Sequence, residues 1–377
     1  MKIAILTQPL WFNYGGILQN YALQQTLKEM GHVVYTIDIQ PSLRYRITPK
    51  HLISYFIRLF KRYILKDKTV KASWNPRFTN KTISYISQNT LRFVSNNIDT
   101  TEKIDPSDLT IIAKKYCFDA YVVGSDQVWI PSYYPNAFIP FDKRVGIKRV
   151  FYAASAGNKS WLDDERIRNM ALHYISLFNG ISVREKELMC KFQKYSDLPI
   201  SHVLDPTMLL DKDAYMKFVG TNNKSGSFIY TYILDKAPFK TEVINSIADS
   251  LKAPVITGTP AVFYEDIDKN NKHDAVYEPI ENWLSNYYYS DYIVTDSFHG
   301  TAFALLFNKQ FVVIANKERG MDRFTSLLNL FNLSHRIITS IEQLENVVAQ
   351  PIEYASINTK LQELREYSIR FIRESLA

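Results

Sequence analysis

The chain has 377 residues, of which 46% are hydrophobic, 22% charged and 14% aromatic, with a formal net charge of +7. This composition excludes a disordered or collagen-like chain, and the length allows two ordinary domains. No apolar run approaches the roughly 20 residues of a membrane span; the positive charge favours anionic ligands or surfaces without specifying a fold. Cys117 and Cys190 are far apart, show no metal-ligand spacing, and are expected as reduced thiols. Met1 to Thr7 lacks the long apolar core and cleavage site of a signal peptide, so a cytoplasmic protein is expected. No metal and no cofactor are expected.

In chain order, residues 3–6 read as a short buried strand. Asn13-Tyr14-Gly15-Gly16 follows as a loop, then a helix from about Ile17 to Met30, with Gly31 as its C-cap. Val33 to Ile39 is the next strand. A β–loop–α–β opening of this kind begins a doubly wound α/β sheet. Further strands are expected at Ala120–Gly124, Arg149–Ala154, Gly180–Val183 and His202–Leu204. Each runs into polar or small residues: Ser125-Asp126, Ser155-Ala156, Arg184-Glu185 and Asp205-Pro206. Such a row of strand ends lines a cleft. Turn chemistry at Asn222–Gly226 marks a break. A second αβ series then begins, with strands at Phe228–Leu234, Pro254–Thr257, Tyr292–Val294 and Phe311–Ile314. An amphipathic helix, about Ile357–Leu376, ends the chain. The expected architecture is two Rossmann-like domains facing across a cleft, at 1–212 and 213–350, followed by a C-terminal helix at 351–377.

Residues 44–71 carry nine Lys or Arg and a single acid. Ile53, Phe56, Ile57, Phe60 and Ile64 repeat along one face, and Arg58, Lys61 and Arg62 along another, the pattern of a basic amphipathic helix. Either it packs as an ordinary surface helix or it holds the protein against anionic lipid at the inner membrane face. Nucleic-acid binding is not expected, because the charge gathers in one segment with no nucleic-acid module beside it.

The stretch Val294-Thr295-Asp296-Ser297-Phe298-His299-Gly300-Thr301 joins a buried strand to an apolar helix. A helix start at a strand's carboxyl end offers free amides to an anion. His299 would stand beside that anion and can carry a proton near neutral pH. The same residues also suit a plain helix cap.

Several pieces resemble one family, the polysaccharide pyruvyl transferases. They are Asn13-Tyr14-Gly15-Gly16-Ile17-Leu18-Gln19-Asn20-Tyr21, Gly124-Ser125-Asp126-Gln127-Val128-Trp129, Ser182-Val183-Arg184-Glu185, Asp205-Pro206-Thr207, Thr295-Asp296-Ser297-Phe298-His299-Gly300 and Arg319-Gly320-Met321-Asp322-Arg323. The ordered set covers residues 1 to about 340. The resemblance implies a fold like the GT-B glycosyltransferases, with the last helix returning to the first domain. It implies transfer of a pyruvyl group from phosphoenolpyruvate to a sugar as a ketal, without a metal. The acceptor would be a saccharide of a cell-surface polysaccharide or its lipid-linked precursor, on the first domain, with the donor on the second. One departure stands out. Ser297 occupies a position where many members carry a donor-binding Arg, and Arg319 and Arg323 are the candidates to replace it.

The reaction needs an acid, a base for hydroxyls and cationic clamps. His299 is the expected acid/base, Arg184 either the clamp on phosphate or carboxylate or the partner of Glu185 or Glu187 in an ion pair, and Asp126 either the group that accepts or orients an acceptor hydroxyl or a strand-end turn former. Asn13, Gly15 and Gly16 would line the acceptor side and Gly300 the donor side. Trp129 either stacks on the sugar or fills the core. Two other readings keep the same fold: a GT-B glycosyltransferase using a nucleotide sugar, and a sugar- or anion-binding relative without chemistry.

Overall fold

The computed structural model describes residues 1–40, 57, 59–65, 80–130, 133, 136–157, 160–221, 226–268, 270–315 and 320–377. The first sheet has six parallel strands: β1 (Lys2–Leu6), β2 (Val33–Thr36), β3 (Ala120–Val123), β4 (Lys148–Ala154), β5 (Gly180–Val183) and β6 (Ser201–His202). Their order is β2-β1-β3-β4-β5-β6. The second sheet has five: β7 (Ile229–Tyr232), β8 (Val255–Thr257), β9 (Tyr292–Thr295), β10 (Gln310–Ile314) and β11 (Ile337–Ile338), in the order β11-β10-β9-β7-β8. Most of these strands read as continuous apolar runs because helices cover both faces of a parallel sheet. β11 has only two residues and was not expected from the sequence; it pairs with β10 through Val313 and Ile314.

In each sheet the chain runs first to one side and then to the other. The reversal falls between β1 and β3 in the first sheet and between β7 and β9 in the second. Ligands of open α/β sheets bind beyond the carboxyl ends of the strands at such reversals. Ser125-Asp126 follows β3, and Asp296-Ser297 follows β9.

Helix α1 (Tyr14–Glu29) begins three residues before its expected start, because Asn13 Oδ1 accepts the Gly16 amide at 3.2 Å and caps it. The two glycines therefore belong to the first turn. Tyr14, Ile17, Leu18 and Tyr21 are buried in one cluster with Tyr230, Tyr232, Trp283 and Phe303, so α1 also packs on the second sheet's side. Much of the high aromatic content lies in this shared core. Four further helices bear on the site: α2 (Lys186–Phe192), α3 (Phe298–Leu306), α4 (Asp322–Asn329) and α5 (Tyr354–Leu376).

The last helix crosses back, as the sequence resemblance implied. Ile357 and Leu361 of α5 are buried with second-sheet residues, whereas Ile372 and Leu376 are buried with Ile3, Ile5, Val122 and Val150 of the first. Twenty-three residues at 1.5 Å each span about 35 Å, enough for that reach. Gly180 permits the docking, since a Cβ there would stand 2.0 Å from Ser375 Oγ.

Most of the basic segment 44–71 lies outside the described residues. Of its members, Phe60–Ile64 forms a short π-helix, and Ile57, Phe60, Tyr63 and Ile64 are exposed. Among the described residues no helix is long and apolar enough to cross a membrane.

Candidate active site

Four strand ends converge. After β9, Asp296 is buried and fully used: its carboxylate accepts from the Leu234 amide at 2.7 Å and Lys240 Nζ at 2.5 Å. Burial pushes this carboxyl up despite Lys240. Asp296 thus ties the ends of β7 and β9 together. Ser297 caps α3, accepting the Gly300 amide at 3.3 Å. The first amides of an α-helix have no partner within it; here Phe298 and His299 hold those positions.

His299 is the second residue of α3 and only 6% exposed. Its Nε2 lies 3.7 Å from Asp205 Oδ2, too far for a hydrogen bond but an ion pair when the ring is protonated. Nε2 has no hydrogen-bond partner among the described residues. The other side of the ring rests on α1, where a Cβ at Gly15 would come within 2.1 Å of His299 Nδ1 and 2.6 Å of its Cβ. Gly15 and Gly16 both lie in the buried first turn of α1.

Arg184, at the end of β5, is the hub. Nη1 donates to Asp205 Oδ2 at 2.7 Å, Nη2 to Asp126 Oδ1 at 3.1 Å and Nε to Glu185 Oε1 at 3.3 Å. The guanidinium also lies 4.4 Å from the centre of the Phe298 ring, beside His299. Burial alone would lower its pKa, but Asp205, Asp126 and Glu185 drive it upward. Asp205 is also buried, yet His299 and Arg184 hold its carboxyl well below the ordinary range. It accepts further bonds from Ser125 Oγ at 3.1 Å and from the Thr207 amide at 3.0 Å. Asp126 sits in the left-handed region, φ 68°, a costly conformation for a non-glycine residue that recurs at functional sites.

Glu185 completes the cluster. Ser155 Oγ donates to its Oε1 at 2.6 Å, and burial raises its carboxyl despite the nearby Arg184. Glu185 also lines a cavity of about 930 Å³ between Ala156-Gly157, α2 and the Gly320-Met321 turn with the start of α4. The volume suits a small-molecule site.

Of the expected site residues, His299, Arg184 and Asp126 come together around Asp205, with Gly15 against the imidazole. Asn13 and Ser297 are helix caps, and the Gly300 amide is already bonded to Ser297. Arg323 stands on the cavity wall, where its charge acts on Glu185. Arg319 lies outside the described residues. Trp129 is corrected: it is wholly buried, its ring 5.2 Å from that of Trp161 and 5.4 Å from that of Phe151, so no face is open to a sugar. The expectation of a donor clamp at Arg184 also changes: the alternative, an ion pair with Glu185, is present, and Asp126 and Asp205 share the same guanidinium.

Asp205 and Glu185 were missed as site residues. Both lie in motifs at strand ends, but no spacing shows that two carboxylates share one buried arginine. Among the described residues no group of three His, Cys, Asp or Glu is placed to hold a metal ion.

The Gly15 contact carries a prediction. Gly15→Ala must displace the imidazole, and overpacking of this kind costs about 1–3 kcal/mol. Turnover should fall with a modest loss of melting temperature, and Gly16→Ala should do less, because its nearest neighbour is the Asn13 side chain at 3.4 Å. Unchanged turnover in Gly15→Ala would show that the His299 position does not matter.

Solved structures with this architecture include the glycotransferase of kitacinnamycin, at 12% identity and TM-score 0.51, covering 100% of this chain and 99% of that one. A UDP-N-acetylglucosamine 2-epimerase aligns at 13% identity and TM-score 0.51, over 99% and 95%. A putative UDP-N-acetylglucosamine 2-epimerase from Listeria monocytogenes aligns at 9% and 0.52, over 97% and 91%. At these identities the likeness shows a GT-B-like fold and nothing about substrate. No curated protein sequence matches the chain significantly. The sequence profile of one family does match, over residues 13–318, from the Asn13 cap past the His299 helix; with that span the chain belongs to the polysaccharide pyruvyl transferase family.

Proposed function

We propose that the protein transfers a pyruvyl group from phosphoenolpyruvate to a saccharide of a cell-surface polysaccharide or its lipid-linked precursor, closing a cyclic ketal. The observation that carries the reading is the buried His299 Nε2, which faces Asp205 and has no hydrogen-bond partner among the described residues, where strand ends of both sheets meet. Residues 1–212 would form the acceptor domain and 213–350 the donor domain, joined by the returning helix.

Protonated His299 delivers its Nε2 proton to the methylene carbon of the donor. The adjacent carbon gains positive character, and the oxygen of a first hydroxyl bonds to it. Its bond to the phosphate oxygen breaks, the electron pair leaving with phosphate, and a second hydroxyl closes the ring. Of the two hydroxyl protons, one restores His299 and the other departs on phosphate. Asp205 holds the imidazolium, and Arg184 holds Asp205 and Asp126 in place.

An anionic donor needs cations beyond Arg184, which already faces three carboxylates. Arg323 is placed to serve. Charged hydrogen bonds are worth about 1.5–3 kcal/mol, so Arg323→Ala should raise the apparent donor constant roughly 10- to 100-fold in a phosphate-release assay with nitrophenyl or lipid-linked sugars. An unchanged constant would remove Arg323 from the donor site. Thermal stabilisation by nucleotide diphosphates but not phosphoenolpyruvate would favour the glycosyltransferase reading instead.

A further inference from the structure

Glu185 is 3% exposed, and its two oxygens differ. Oε1 is pinned by Ser155 Oγ at 2.6 Å and Arg184 Nε at 3.3 Å. Oε2 is buried with no hydrogen-bond partner among the described residues. An unsatisfied buried carboxylate oxygen costs a few kcal/mol and calls for a partner. Glu185 forms part of the wall of the 930 Å³ cavity. Neither Asp126, the residue expected to act on acceptor hydroxyls, nor His299 lines that cavity; Arg184 stands between, bonded to Glu185 on the cavity side and to Asp126 and Asp205 on the side of His299.

The walls of the cavity are unlike. One is the Gly320-Met321 turn and the start of α4, with Asp322 and Arg323, whose charge acts on Glu185. The other is α2 and the turn after it, which brings Lys186 and Lys194 as well as Glu185 and carries the aromatic ring of Tyr195. Tyr195 is 43% exposed, and Arg168 stacks on its ring at 4.1 Å. A partly exposed aromatic ring and a carboxylate lining one cavity are the chemistry of a saccharide site, the open face of the ring meeting the apolar face of the sugar and the carboxylate its hydroxyls. Lys191, on the same helix, is paired with Asp163.

We infer that Glu185 is the catalytic base for the acceptor, and that the saccharide enters through the Tyr195 side of this cavity while the donor lies on the Arg323 side. The inference rests on the pyruvyl-transfer reading. In the first addition the hydroxyl oxygen bonds to the central carbon of the donor, and its proton passes to Glu185 Oε2. When phosphate leaves, it carries that proton away. The proton of the second hydroxyl returns to His299, so both residues end as they began. The burial that raises the Glu185 carboxyl also makes its ionised form a stronger base.

The test compares Glu185→Gln, Glu185→Ala and Tyr195→Ala in the full-length protein, with phosphoenolpyruvate and a panel of p-nitrophenyl hexosides. Glu185→Gln keeps the oxygen that Ser155 and Arg184 use, so it should fold; kcat should drop about 10²–10⁴-fold with the donor constant little changed. Glu185→Ala should recover part of its rate when formate is added, a rescue that a merely structural role would not give. Tyr195→Ala should raise the acceptor KM and leave the donor constant unchanged. Wild-type kcat in Glu185→Gln, or a Tyr195→Ala effect confined to the donor, would overturn the inference while leaving the pyruvyl-transfer reading intact. Absence of phosphate release by the wild-type protein with every hexoside would overturn that reading, and this inference with it.

Discussion

Arg184→Ala is expected to destabilise the protein by about 3–5 kcal/mol, the usual cost of breaking a buried ion pair. The guanidinium is shared by Asp205, Asp126 and Glu185, and its removal leaves buried carboxylates without their counter-charge. The loss should depend on pH in a definite direction. Asp205 is held below its ordinary value in the folded protein, so its contribution is present above the ordinary carboxylate range and lost on acidification. Glu185 is held above its ordinary value, so it disfavours the fold as pH rises through that interval, and loss of Arg184 would push it higher still. The deficit of Arg184→Ala should therefore grow from acid toward neutral pH. Arg184→Lys should recover only part, because one ammonium cannot reproduce a planar group bonded on three sides. Urea melts at several pH values measure this; a pH-independent difference below about 1 kcal/mol, the range of exposed pairs, would show that the cluster does not hold the fold.

The second large effect is on chemistry. His299→Gln should lower kcat about 10²–10⁴-fold, the contribution of general acid–base catalysis, while the donor constant moves little. Glutamine can occupy much of the space between Gly15 and Asp205 but cannot deliver a proton to carbon. Its melting temperature should stay close to wild type, unlike that of Arg184→Ala. Wild-type kcat in His299→Gln would remove the histidine from the reaction.

Much of this arrangement was legible in the sequence, for physical reasons. Buried parallel strands read as apolar runs, and the row of polar strand ends pointed to one face of the molecule. Ser297 was legible as part of a helix cap, although capping alone did not show what it positions; the Asn13 cap was not, and the helix it opens starts three residues before its expected start. Distances across the chain were not legible. Nothing in Gly15 announces that it is small because His299 lies on it, 284 positions later. For Trp129 the sequence left sugar stacking and core filling open, and the fold decides for the core, where its ring meets that of Trp161. For Arg184 the sequence offered a clamp or an ion pair with Glu185, and could not show that Asp126 and Asp205 reach the same guanidinium. Glu185 was passed over as the arginine's neighbour, whereas the fold places it on the wall of the cavity.

The most direct test is to run the wild-type reaction in deuterium oxide with phosphoenolpyruvate and an accepting saccharide, following phosphate release and the product by NMR. One phosphate per turnover and a ketal methyl group bearing a single deuterium are expected, because solvent-exchanged His299 protonates the donor's methylene carbon. A product that keeps the enol double bond, or no phosphate release with any saccharide offered, would contradict ketal-forming pyruvyl transfer.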